Sequence, residues 1–552
     1  MNYLLFKMVA NELSKATSFP VSEIYSKLEQ PPSPEMGDVA FPCFSLAKTL
    51  KKAPHVIAED MLNRICFRSH SQATAVFSKV KVSGGYLNFY LNKTEVLKLF
   101  FEKAKNRALV NFPTGKAKRG KRVTIEHTSV NPNASPHIGR ARNAMIGDAI
   151  VRLLKYLQYD VYVRYFVNDV GKQMALLVHC VKNIPEINFS ELLQLYVDAN
   201  EKMKNNSELE EEVFHLLNRM ENGDADVFSE FARVVDICVQ GKMKIFNEFG
   251  IFYDQYDYES KYVRSRQVEK ILAALKETGR LFEDEKGRLV LNLEEFGLNP
   301  EHPYLPLTRK DKTSLYPLRD ICYNVDKAKE HPDRNIVVLG EDQRLYGKQI
   351  NAALNLLGIE GPELVNYSFV LLPEGKMSTR AGQVVLLEDV MRDTARLAPK
   401  PLAYGAIKYS ILKCSNEKNV VFDREAALNF HGDTGVYIQY SYARIQSLLS
   451  SECLDTCIDD VITLVHPLEW EIIKKLLAFS QVLSAASQDF NFSGLCSYLF
   501  ELCQYFSRWY SECPIKNSDG HQKKARLFLA SVTGNIIKDG LNILGIDAPE
   551  RI

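Results

Sequence analysis

Between residues 122 and 167 the chain passes through a strand-like run, RVTIEHTSV (122–130), an amphipathic pattern, GRARNAMIGDAIVRLLKYL (139–157), and a second apolar run, VYVRYFV (161–167). A strand, a helix of about five turns and another strand form a βαβ unit, which commits the chain to a parallel sheet with a right-handed crossover. Strand signals return at NIVVLG (335–340) and SFVLL (368–372). Residues from about 172 to 250 are charged and helical in pattern, an insertion rather than more sheet. Before this unit, helical periodicity is followed by the loop PPSPEMGD (31–38), two helices parted at Pro54 and strand-like VKVSGGYLNFYL (80–91). After about residue 390 only helical patterns are found. With 552 residues the chain is long enough for three or four domains. The expectation is a multi-domain protein: an α+β N-terminal domain (1–107), a Rossmann-like parallel-sheet α/β domain (108–390) carrying the insertion, and an all-α C-terminal domain (391–552).

Apolar residues are 46% of the chain and charged residues 25%, the balance of a folded globular protein. A formal net charge of +1 gives no global pull on a polyanion, so a nucleic acid would have to meet local basic patches. The stretch TGKAKRGKR (114–122) is one such patch, readable as a solvated linker or as a nucleic-acid contact. It also spaces Gly115, Gly120 and Lys121 like a phosphate-binding GxxxxGK loop. That match fails, because Arg122 replaces the magnesium-holding hydroxyl and a strand follows where a helix is required. The 11 cysteines are scattered with no CxxC pair, and Cys453 and Cys457 have no histidine at a zinc-finger spacing, so no structural zinc is expected. No stretch approaches the length of a membrane span and no secretory leader is visible at the start, so the chain reads as cytoplasmic.

Two motifs carry chemistry. NPNASPHIGRARN (131–143) lies between the first strand and its helix. Ligands of open α/β sheets gather beyond the carboxyl ends of strands, where a helix N-terminus offers free N–H groups to phosphates. His137 could donate to a phosphate oxygen, Gly139 could let a nucleotide approach the backbone, and Arg140 and Arg142 add charge. A plain strand-to-helix loop with a capping histidine fits these residues as well. The second motif, LLPEGKMSTRAGQVV (371–385), sets Lys376 and Arg380 around Ser378 and Thr379 in a glycine-containing loop. Such a loop could close on a triphosphate and stabilise developing charge, or be a basic surface turn.

Taken together, PHIGR and KMSTR resemble the HIGH and KMSKS motifs of the class I aminoacyl-tRNA synthetases. The longer segments IEHTSVNPNASPHIGRARNAMIGDAIVRLL, YDVYVRYFVNDVGKQM, YPLRDICYNVDK (316–327) and HGDTGVYIQYSYARIQSLL (431–449) are similar to the arginyl-tRNA synthetases in particular, and in that family's order. The resemblance implies ATP-dependent activation of L-arginine and its transfer to tRNA(Arg). The N-terminal unit would be a tRNA-binding domain and the C-terminal one an anticodon-binding bundle. It implies ATP contacts at Asn133, Pro136, His137, Gly139, Arg140, Lys376 and Met377, with Ser378 and Arg380 also in the catalytic group. Arginine would be held by Glu126 and Asn131 at its backbone end and by Tyr316 and Asp320 at its guanidinium, with Gln343 beside them. The segment Asn168, Asp169 and Gly171 would complete the pocket. A carboxylate accepting paired N–H bonds from a planar guanidinium tells arginine from lysine. Tyr437, Tyr440 and Arg444 would meet the anticodon, and Lys48, Lys51 and Lys52 the tRNA elbow. Aromatic and guanidinium faces stack on unpaired bases, although the same residues could equally be core or solvated faces. Magnesium is expected with ATP, no editing domain is expected, and members of the family are mostly monomers that need tRNA to activate arginine. The chain departs at Arg140, where the last position of HIGH is normally histidine, and at Tyr346, where many members carry histidine. Another adenylyl-transferring enzyme of the same fold, or a non-catalytic RNA-binding relative, remain the alternatives.

Overall fold

The computed structural model describes all residues except 1, 2, 18, 69–75, 107, 108, 110–119, 130, 183, 185, 205, 264, 299, 300, 373, 374, 377–384, 451, 453 and 454. Most of the linker 114–122 therefore lies outside the described residues.

Its centre is a five-stranded, wholly parallel sheet. In chain order, β1 (Val39–Pro42), β2 (Phe77–Ser83) and β3 (Tyr86–Leu91) belong to the N-terminal unit, and β4 (Arg122–Glu126), β5 (Asp160–Val167) and β6 (Gln255–Tyr258) open the sheet. After a small antiparallel sheet of β7 (Leu281–Glu283), β8 (Leu289–Asn292) and β9 (Tyr304–Pro306), β10 (Arg334–Gly340) and β11 (Glu363–Tyr367) complete it in the order β11-β10-β4-β5-β6. The chain leaves β4 towards β5 on one side and reaches β10 on the other. The order therefore reverses beside β4, and a crevice opens at the carboxyl ends of β4 and β10, where open α/β sheets bind ligands. Val123 and Ile125 on one face of β4 and Thr124 on the other are all buried, as expected of a central strand covered on both faces.

The crossover helix Ile138–Tyr156 runs from this crevice to the C-terminal bundle and is buried over most of its length. At its far end the Tyr156 hydroxyl donates to Asp539, 2.8 Å away, on the bundle helix Gly520–Ile543. Along the way Gly147 passes so close to the end of β4 that an added Cβ would stand 2.2 Å from the His127 ring. Between β5 and β6 four helices intervene, Lys172–Val181, Phe189–Met203, Ser207–Glu221 and Ala225–Glu248, together forming the helical insertion.

Two expectations need correction, and one strand was not foreseen. SFVLL does not extend the central sheet: β12 (Val370–Leu372) joins a separate small sheet with β13 (Gly375–Lys376) and β14 (Val420–Val421). The fifth strand of the central sheet is ELVNY (β11), whose mixed polar pattern gives little signal because it lies at the sheet edge. The apolar pattern 122–130 ends as a strand at Glu126, since Thr128 and Ser129 take positive φ values of 72° and 24°.

The N-terminal unit is an antiparallel sheet in the order β1-β3-β2 with helices packed on it. The diglycine at 84–85 makes its tight hairpin, with Gly84 at φ +57°. The unit docks on the C-terminal bundle: the Trp470 indole donates to Asp38 over 2.9 Å, and Phe100 and Phe101 pack on Phe528. The bundle itself consists of helices Lys400–Leu412, Gly435–Leu449, Pro467–Asp489, Ser493–Glu512 and Gly520–Ile543.

Candidate active site

A cleft of about 220 Å³ lies at the sheet reversal, lined among others by Ser129, His137, Gly139, Arg140, Gly340, Asp342, Gln343 and Tyr367. Its floor is strained. Thr128 and Ser129 hold positive φ values that β-branched and ordinary side chains avoid, and neighbours impose them. The Asn143 side chain accepts from the Thr128 N–H at 2.6 Å, and the Tyr253 hydroxyl donates to Thr128 Oγ1 at 2.7 Å.

His137 caps the crossover helix: its Nδ1 accepts the N–H of Arg140 at 3.2 Å. Burial, aided by the nearby Arg140 charge, holds its imidazole down to about 4. It is therefore neutral at physiological pH, and with Nδ1 accepting, Nε2 carries the proton as a donor into the cleft. Gly139 and Arg140 share this wall, with Arg140 exposed.

The segment that carries KMSTR begins and ends against the same loop. Val370, the first residue of β12, lines the cleft. The backbone of Lys376 in β13 pairs with Leu371 of β12. Beyond the loop, Leu386 bridges His137, the Ile138 N–H donates to Val385 at 3.0 Å, and the Leu387 N–H donates to Pro136 at 2.8 Å. Met377, Ser378, Thr379 and Arg380 lie outside the described residues.

Arg142 does not face the cleft, against the expectation of phosphate charge there. It is completely buried and donates to the carbonyls of Ser368, Lys418 and Ser415 at 2.8–2.9 Å. On the helix it stands two residues from Arg140, about 200° round, so the two cannot share a face. Its task is to tie the approach to β12 and the 415–418 turn to the crossover helix.

Beside the cleft sits a cluster of carboxylates. The helix Tyr316–Lys329 presents Tyr316, Asp320, Tyr323 and Lys327 at helical spacings of four, three and four, so that they share one face. Lys327, 1% exposed, donates to Glu126 at 2.6 Å, at the end of β4. Arg319 pairs with the buried Glu259 at 2.5 Å. Asp320 accepts from the Tyr346 hydroxyl, and among the described residues no cation salt-bridges it. Burial, with Glu259 and Glu126 adding like charge, pushes its carboxyl up to about 7. Tyr316 stands half exposed at the start of the helix, its ring 5.3 Å from that of Tyr346. The cluster thus holds three carboxylates against two paired cations, one positive charge short.

Asn131 and Asn133 are gripped by the insertion. Asn131 donates to Gln173 at 3.3 Å, its carbonyl accepts from the Lys242 ammonium, and Asn133 hydrogen-bonds the Tyr196 hydroxyl. Asn168 donates to Glu259 at 3.4 Å, and Asp169 accepts the Ser260 N–H at 2.8 Å; burial pushes its carboxyl up to about 6. Gly171, at φ +141°, starts the first insertion helix.

The residues expected to touch RNA fall in two groups, one on the bundle helix Gly435–Leu449 and one in the N-terminal unit. Tyr437 packs on Phe500 at 5.5 Å between centroids, and Arg444 lies 4.4 Å over the Tyr510 ring. Tyr440, on the same helix, remains 47% exposed beside Phe430. Lys51 ends a short helix of the N-terminal unit in a left-handed conformation, and Lys52 pairs with Asp60 at 2.6 Å.

Sequence reasoning passed over Glu259, Lys242, Lys327, Arg319 and the bond from Tyr346 to Asp320. Lys242 had a readable signal: it continues the apolar stripe Val235, Cys238, Val239, where a lysine is out of place unless its charge is used.

Comparisons with known proteins agree along the whole chain. Residues 106–423 match the family of class I (R) tRNA synthetase catalytic domains, 438–552 the DALR anticodon-binding domain, and 4–91 the arginyl-tRNA synthetase N-terminal domain. The arginine–tRNA ligase of Methanocaldococcus jannaschii is 33% identical over 99% of both chains, as is that of Methanococcus aeolicus. Among solved structures, Thermus thermophilus arginyl-tRNA synthetase superposes with a TM-score of 0.82, covering all of both chains at 24% identity. A Mycobacterium tuberculosis methionyl-tRNA synthetase with methionyl-adenylate shares the fold more distantly, with a TM-score of 0.52 over 78% of this chain and 92% of that one at 13% identity.

Proposed function

The chain belongs to the arginyl-tRNA synthetases and is an arginine–tRNA ligase, and from that premise we propose how its residues divide the reaction. ATP and arginine first form arginyl-adenylate with loss of pyrophosphate, and the arginyl group then passes to the terminal ribose of tRNA(Arg) with release of AMP. The substrate's own carboxylate is the nucleophile, so the protein's work is positioning and charge stabilisation.

ATP lies in the cleft over Asn133, Pro136 and Gly139, with neutral His137 donating to a phosphate oxygen through Nε2, Arg140 adding a fixed positive charge, and Gln343 at the edge shared with arginine. Lys376, Met377, Ser378 and Arg380 close from the other side and stabilise the departing pyrophosphate. The loop is suited to this because both of its attachments, at Val370 and at Leu386, adjoin the His137 wall. Magnesium enters with ATP on the triphosphate oxygens, its usual arrangement.

Arginine lies across the carboxylate cluster. Its ammonium and backbone groups meet Glu126 and Asn131, and its guanidinium meets Asp320 and the Tyr316 ring. The observation that carries this reading is the cluster's deficit of one positive charge at Asp320, a vacancy that a guanidinium fills.

On the RNA, Tyr440 stacks on an anticodon base, with Tyr437 and Arg444 fixed behind it, and Lys51 and Lys52 meet backbone phosphates at the elbow. The domains divide at 107/108 and 390/391, and the enzyme works as a cytoplasmic monomer. Charging of tRNA(Arg) with labelled arginine tests the site. Asp320→Ala should abolish it and Arg140→His should change the ATP KM while leaving the arginine KM unchanged. Pyrophosphate exchange should be near background without tRNA. An unaltered arginine KM in Asp320→Ala overturns the arginine assignment.

A further inference from the structure

The loop 131–136 contains two prolines and offers few donors of its own, so its shape must be imposed from outside. From the far side of the molecule's middle, three insertion helices reach it. Gln173 of the first bonds the Asn131 side chain, Tyr196 of the second bonds Asn133, and Lys242 of the fourth donates its ammonium to the Asn131 carbonyl.

Lys242 stands out among these contacts. It is 1% exposed, on the buried face of Ala225–Glu248 among Val235, Cys238, Val239 and Phe246. Burying an ammonium costs several kcal/mol, and a methionine of similar shape would fill the space at far smaller cost. The Arg140 charge nearby makes it dearer still: burial and that neighbour bring Lys242 down to about 7. A polar head kept in an apolar setting is kept for what its donor does. Among the described residues, its ammonium donates to the Asn131 carbonyl of the substrate-facing loop.

We propose that Lys242 is a positioning residue for arginine, which clamps the Asn131 backbone so that the Asn131 amide is presented to the amino acid. The helical insertion is thereby a working part of the substrate pocket. The proposal rests on the reading of Asn131 as an arginine contact, and its test separates the two. With the full-length chain and tRNA(Arg), the arginine and ATP KM values and kcat are measured in pyrophosphate exchange for Lys242→Met, Asn131→Ala and the double variant. Lys242→Met should raise the arginine KM about tenfold with kcat and the ATP KM within about threefold, a split that general loosening of the fold would not produce. Asn131→Ala should raise the arginine KM similarly, and the double variant no further, because the two act as one unit. An arginine KM unchanged in Lys242→Met but raised in Asn131→Ala overturns the proposal and leaves Asn131 in place. An unchanged KM in Asn131→Ala overturns the reading of Asn131, and the proposal with it. Additive effects in the double variant also overturn it. Should the methionine variant not fold, Lys242→Gln, whose amide is too short to reach Asn131, is subject to the same outcomes.

Discussion

The arginine side and the nucleotide side of the cleft are built on different terms. On the arginine side, Glu126, Glu259 and Asp320 sit with Lys327, Arg319 and Tyr346 in a buried network that exists before any substrate arrives. On the nucleotide side, His137, Gly139 and Arg140 form one wall, and the segment that carries KMSTR meets it at Val370, which lines the cleft, and at Leu386, which bridges His137. In the proposed division of the reaction the first half selects by preformed charge, which suits an amino acid told apart by a single planar cation. In the same proposal the second half recognises a phosphate chain common to many enzymes and has charge to stabilise only during transfer, so not all of its donors need to be in place beforehand.

The contrast can be broken most severely at Asp320. Replacing it with asparagine removes the unpaired carboxylate of the preformed half, and kcat/KM for arginine should fall by about three orders of magnitude. An ATP KM that moves equally would show that the halves are one unit. Next in size is Arg142→Met, which orphans the carbonyls of Ser368, Ser415 and Lys418 behind the nucleotide half. At roughly 1 kcal/mol for each, about 3 kcal/mol of stability should be lost in urea unfolding, with the ATP KM raised more than the arginine KM.

A third test uses pH. Asp320, pushed up to about 7, holds a proton in the empty site below that pH, and the proton must leave before a guanidinium can pair with it. The arginine KM should therefore rise as pH falls through 7, approaching tenfold per unit on the acid side. His137, held at about 4, adds nothing in this window. An arginine KM flat from pH 6 to 8 would mean that Asp320 is already ionised. The smallest effect is expected from Tyr346→Phe. The Tyr346 hydroxyl donates to the ionised carboxylate and favours it, so its loss should raise the arginine KM about threefold near pH 7 and move the pH midpoint upwards.

Much of this was legible in the sequence wherever a local pattern carries the signal. The βαβ unit and the helix from 138 to 156 follow from periodicity, since a 3.6-residue repeat records which side of a helix is buried. Arg142 shows where such reading fails. It sits in a motif of phosphate-binding appearance, but whether an arginine two residues from Arg140 meets a ligand or three carbonyls depends on a turn near residue 415 that no local pattern reports. SFVLL fails for a related reason: an apolar run shows that a strand is buried but not which sheet takes it.

By itself, then, the amino-acid order determined the parallel α/β core and the helical bundle, because period and composition are local properties. Only the tertiary structure decided which charges are already spent. Lys327 is committed to Glu126, Arg319 to Glu259 and Lys242 to a backbone carbonyl, while Asp320 has no cation partner among the described residues. Pairing is a matter of distance between residues up to two hundred positions apart. That distance exists only once the chain has folded.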